Sequence, residues 1–170
     1  MKKLAILFVI LAGYTVTANA QGAAVSATAS SQAVVITPIT IAKTTDLVLG
    51  TLAVSATTGG TLVMDATGGR TSTLGVTLPN NTGSPTAAVF HVTGLAGSTF
   101  AITLPGTISL SDGASHTMNL GSFVSSPSST GTITGGAVDI SVGGTLTVTA
   151  AQAAGTYTNA AGLQVTVNYN

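Results

Sequence analysis

The chain has 170 residues, the length of a single domain, and only 5% of them are charged, against about 25% in an ordinary soluble domain. Four cations build no basic patch, which argues against nucleic-acid binding and against attachment to anionic membranes. Disorder is an equally poor fit, because 45% of the residues are hydrophobic and cysteine is absent, so burial and hydrogen-bonded ladders must carry the stability.

Residues 1–20 read as a signal peptide. Met1-Lys2-Lys3 is a short basic start, Leu4 to Leu11 is an apolar run too short to anchor in a bilayer, and Ala18-Asn19-Ala20 supplies the small-x-small cleavage pattern. Cleavage before Gln21 leaves two cations (Lys43 and Arg70) against four aspartates (Asp46, Asp65, Asp112 and Asp139), a net charge of −2. No later apolar run is long enough for a second membrane segment, so the mature chain is expected to be soluble, at the cell surface, extracellular or periplasmic.

Residues 21–32 are uncharged and rich in Ala, Ser and Thr. Val25, Ala27 and Ala29 alternate with Ser26, Thr28 and Ser30, which fits either a frayed terminus or an extension that becomes a strand on a neighbour. From residue 33 to 170 the chain reads as one β-sandwich domain. Leu74, Val76 and Leu78 alternate with small or polar residues. So do Phe100, Ile102 and Leu104; Ile108 and Leu110; Val138, Ile140 and Val142; and Leu146 and Val148, while Ala88, Phe90 and Val92 alternate with Val89 and His91.

Gly59-Gly60, Gly68-Gly69, Gly135-Gly136 and Gly143-Gly144 are expected to turn hairpins with positive φ. Gly59 to Val63 resembles Gly143 to Thr147, as two similar hairpins would. Pro79 to Gly83 and Ser125 to Ser129 read as loops, and Ala150 to Ala154 as a single helical turn ended by Gly155. Leu163, Val165, Val167 and Tyr169 share one face of a final strand. Several short strands with frequent turn signals predict an all-β antiparallel sandwich, Ig-like.

Chemistry is sparse. His91 lies out of phase with Phe90 and Val92 and is expected to face solvent. Asp112, Ser115 and His116 fall in one polar turn, the least implausible hydrolase group in the chain, but such clusters are common in turns. No nucleophile elbow, phosphate loop, zinc helix or Asp-x-Asp calcium loop occurs, so no catalytic residue, metal ligand or cofactor site is assigned. Asp65 and Asp139 are read as strand-end residues that bond turns. Without Trp there is no strong sugar platform, and Phe90, Phe100 and Phe123 are expected in the core.

Gly155-Thr156-Tyr157 leads into Leu163 to Asn170, with Tyr169 penultimate. This C-terminus resembles those of archaic chaperone–usher pilins of the spore-coat-U type. More broadly, three segments resemble a family of secreted bacterial proteins catalogued as domain of unknown function 4402: Ile39 to Gly50, Val92 to Phe100, and Val142 through Tyr169. The pilin resemblance implies an incomplete sandwich completed by a donor strand, with Val165, Val167 and Tyr169 facing a groove or the core. Val25, Ala27 and Ala29 would then be donor side chains. It also implies partners: copies of the chain or related subunits, a periplasmic chaperone and an outer-membrane usher. The expected function is therefore a non-enzymatic surface-assembly subunit, pilus- or fibre-like. The alternative is a monomeric secreted binding module.

Overall fold

The computed structural model describes residues 24–80 and 82–170, so the predicted signal peptide lies outside the described residues. Contacts divide the chain between Val34 and Val35. In the first unit, residues 24–34 carry no strand and every side chain is exposed.

The body is all-β and antiparallel. Its strands are β1 (Thr40–Thr45), β2 (Ala53–Val54), β3 (Gly60–Met64), β4 (Arg70–Ser72), β5 (Val76–Thr77), β6 (Ala88–Thr93), β7 (Thr99–Thr103), β8 (Thr107–Ser111), β9 (Thr117–Ser126), β10 (Thr130–Thr132), β11 (Ala137–Val148) and β12 (Thr166–Tyr169). The large sheet runs β1-β6-β11-β3-β4, with β9 on the second edge of β11 and β8 beyond it. A smaller sheet runs β10-β7-β12, and β2 pairs with β5.

Period-two patterning decides which face is buried. In β6, Ala88, Phe90 and Val92 are buried and His91 is exposed; in β7, Phe100 and Ile102 point in. These residues meet Ile140 and Val142 of β11, Ile133, and Val165 and Val167 at the C-terminus in one apolar cluster. A second cluster joins Leu62, Val76, Leu110, Met118, Leu120, Leu146 and Val148. Each fully buried large side chain stabilises the fold by about 2 kcal/mol relative to an exposed one.

Strand β11 is shared by both clusters. Its first half pairs with β6 (Ala137↔Thr93 to Val142↔Ala88), and its second half pairs with β3 (Gly144↔Met64 to Val148↔Gly60). The change of partner falls at Gly143-Gly144. A Cβ on Gly143 would overlap the Met64 carbonyl oxygen, and one on Gly144 would lie 2.8 Å from the Phe123 ring. Opposite them, the β9 register shifts between Gly143 and Thr145, and Ser122 takes a φ of 45°. This bulge aims Phe123 at the junction, where it packs against both clusters.

Several local expectations need correction. Gly143-Gly144 is no hairpin turn but the middle of a long strand, and Gly59-Gly60 leads straight into β3. The two similar glycine-led segments are therefore not two hairpins: they are cross-strand partners of each other. Gly68, Gly135 and Gly136 do take positive φ in turns. Leu74 does not continue a strand: it turns the chain with a φ of 54° and is 83% exposed. Ala150 to Ala154 forms a turn rather than a helical one, with Ala151 at a φ of 51°. Ser125 and Ser126 belong to β9 rather than to a loop. Asp139 lies within β11, not at a turn, opposite His91.

Candidate assembly edges

A sheet ends in strands whose outer main-chain groups are unpaired, and proteins guard such edges with charge, bulges, brevity or covering segments. The edges here differ in how they are guarded. Strand β4 is three residues long and carries Arg70, whose Nη1 donates to the carbonyls of Leu49 (2.8 Å) and Thr51 (3.3 Å). Strand β8 is covered: Ser111 and Thr158 exchange main-chain hydrogen bonds, and Asn159 Nδ2 donates to the Ser109 carbonyl at 2.8 Å. Strand β10 has three residues. Strand β1 carries a register shift between Lys43 and Thr45, and Lys43 pairs with Asp46 at the surface.

Strand β12 has none of the charged or bulged guards. It pairs with β7 in unbroken register, from Thr166↔Thr103 to Tyr169↔Phe100, and Thr166 to Asn170 includes no charged side chain. The Asn170 N–H donates to the Thr99 carbonyl, which fixes the alternation of the ladder. Asn168 and Thr166 direct their main-chain groups at β7, so those of Val167 and Tyr169 face the outer edge.

The predicted assembly residues fall into two groups. Val165 and Val167 are buried in the first cluster, and the Tyr169 ring packs against it. Their side chains face the core, one of the two placements expected, and what β12 leaves open is its backbone. Val25, Ala27 and Ala29 are exposed in the strandless segment, Val25 at 95%. Two features had no signal in the sequence reading. Val35 is 96% exposed. The Tyr169 hydroxyl accepts the Leu95 N–H at 2.7 Å and donates to the Thr37 carbonyl at 2.9 Å. Gly94 makes this possible, since a Cβ there would overlap the hydroxyl.

The titratable groups lie elsewhere. His91 Nδ1 donates to Asp139 Oδ1 at 2.6 Å on the exposed face of β6 and β11. His116 Nδ1 donates to Asp112 Oδ2 at 2.6 Å within the β8–β9 turn, as the spacing of the two residues allowed. That bond, helped by the N–H groups of Ala114 and His116, holds the Asp112 carboxyl below the usual aspartate range. Asp65 is also lowered. The Thr67 hydroxyl contributes most, followed by the N–H groups of Gly69 and Thr67. Ser115 makes no hydrogen bond to His116, so the turn shows no assembled nucleophile–base pair. A cleft of about 450 Å³ lies beside Ser141 of β11, between Thr67 and Thr86. Its floor is the cross-strand row Thr45, Val89, Ser141 and Ser126, and no titratable side chain lines it. Among the described residues, no three His, Asp or Glu side chains come together to hold a metal ion.

No curated protein and no solved structure matches the chain. Residues 39–169, from just before β1 to the end of β12, match the family described as Domain of unknown function (DUF4402), and the chain belongs to that family.

Proposed function

We propose that this protein is an exported structural subunit that assembles at the cell surface by lending an N-terminal strand to a neighbour. The observation that carries this reading is the segment from Ala24 to Ile36. It has no charged residue and no strand partner, and it exposes Val25, Val34, Val35 and Ile36 to water. Solvating these side chains is unfavourable, and pairing the segment on another chain would remove both the apolar exposure and the unpaired main chain. Pro38 separates it from β1 by removing a ladder donor. Export rests on residues 1–20, and copies of the chain or related subunits are the partners. A dedicated chaperone and an outer-membrane usher fit the same scheme.

A free-standing binding module is the second reading. It is favoured by the closure of both apolar clusters within one chain, with Val92, Phe100, Ile133 and Ile140 fully buried. The two readings separate on a denaturing gel of sheared surface material. Assembly predicts a multimer ladder that collapses to one band on heating and is lost when residues 21–31 are deleted. A ladder unchanged by the deletion would remove this segment as donor, and a monomer band without heating would favour the module.

A further inference from the structure

We propose that the cleft between Thr67 and Thr86 is a binding site for a neutral saccharide. Thr45, Ser126 and Ser141 line this cleft, and among the described residues their hydroxyls have no hydrogen-bond partner. A hydroxyl donates one hydrogen bond and accepts two, so each can meet a ligand hydroxyl in either sense. Thr67 and Thr86 differ. The Thr67 hydroxyl donates to Asp65 Oδ1 at 2.7 Å and the Thr86 hydroxyl to the Asp46 carbonyl at 3.0 Å, so both have committed their proton and offer only lone pairs. A ligand that satisfies them must bring donors, as a sugar does and a polyether does not. No lining side chain carries charge. His91 and Asp139, the next residues on that face of β6 and β11, are bonded to each other, and Asp65 Oδ1 is taken up by its own turn. An ionic ligand would lose water there without gaining a counter-charge, which is unfavourable. Pro85, Ala87 and Val89 supply an apolar patch beside the hydroxyls. A sugar ring presents C–H and O–H groups in the same mixture.

Both sides of the cleft are held by the chain's own hydrogen bonds. Asp65 Oδ1 accepts from the Thr67 and Gly69 N–H groups at 2.8 Å, and Gly68 turns with a φ of 89°. On the other side, Thr86 and Val48 exchange main-chain hydrogen bonds at 2.9 Å. Such pre-organisation lowers the ordering cost of binding. The volume, about 450 Å³, lies within the range of small-molecule clefts. No aromatic ring lines it, so stacking contributes nothing and a Kd on the order of a millimolar is expected. The site is complete within one chain and does not depend on assembly. A multimer would repeat it and raise the avidity for a polysaccharide.

Saturation-transfer NMR observes the ligand and works on monomer and multimer alike. The full chain as exported and processed is mixed with glucose, galactose, mannose, N-acetylglucosamine, maltose, cellobiose or lactose. Glucuronic acid, glucosamine and tetraethylene glycol serve as comparisons. The proposal predicts saturable transfer to at least one neutral sugar and little to the three comparisons. Combining Ser126→Ala with Ser141→Ala should weaken that binding about tenfold, and Thr45→Val, which keeps the branched shape, about threefold. Thermal midpoints should hold, since these hydroxyls have no partner among the described residues. Thr147→Ala removes an exposed hydroxyl elsewhere on β11 and should leave binding unchanged. No saturable transfer to any neutral sugar would overturn the proposal. So would binding unchanged in both the double variant and Thr45→Val. Transfer to tetraethylene glycol equal to that of the sugars would overturn the need for donors, and a preference for glucuronic acid or glucosamine would overturn the neutral ligand.

Discussion

Leu62 and Leu146 stand directly opposite each other across the β3–β11 ladder, 0% and 1% exposed. They occupy equivalent places in the two similar glycine-led segments, so the sequence likeness is that of two paired strands with matching inward faces. Both feed the second apolar cluster. Replacing either by Ala should lower unfolding free energy by about 2–5 kcal/mol, read from urea denaturation. Because the side chains are neighbours, the double variant should depart from the sum of the singles. Additivity, or a loss well under 1 kcal/mol, would mean that the pair does not share one packed site.

Gly143 and Gly106 give a contrast that tests the junction in β11. A Cβ on Gly143 would overlap the Met64 carbonyl oxygen, whereas one on Gly106 would meet nothing within 4 Å. Gly143→Ala should destabilise strongly, because main chain must move to admit the methyl group, while Gly106→Ala should be close to neutral. Thermal melts of the two variants decide this. Equal midpoints would contradict the partner change placed at Gly143.

How legible this was in the sequence depended on the kind of signal. Ala88, Phe90 and Val92, with His91 outward, followed from alternation, since burial on one face of a strand imposes period two. The final strand was legible for the same reason. Gly143-Gly144 was misread because a glycine pair marks a tight turn and a close approach of backbones equally well, and only the packing of Met64 and Phe123 distinguishes them. Leu74 misled because its neighbours Val76 and Leu78 kept the phase while its own φ turned positive. The Tyr169 hydroxyl's partners are 74 and 132 residues away, and no local pattern encodes them.

Acid should weaken the fold through Asp65 and Asp112. Both carboxyls sit below the ordinary aspartate range when folded, so their contributions are present above about pH 4 and are lost as pH falls through the folded values. Stability is therefore expected to decline with acidification below about pH 4, and the Asp65→Asn, Asp112→Asn double variant should decline less steeply. Denaturation midpoints across pH 2–6 measure the slope. An unchanged slope in the double variant would contradict these assignments.

The most direct test of strand-mediated assembly is the size of the purified chain lacking residues 1–20, measured by size-exclusion chromatography with light scattering over a range of concentrations. Assembly predicts multimers that grow with concentration, revert to monomer on heating in denaturant and do not form when residues 21–35 are also removed. A folded, cooperative monomer at every concentration, unaffected by that removal, would contradict the assembly role and leave the free-standing module.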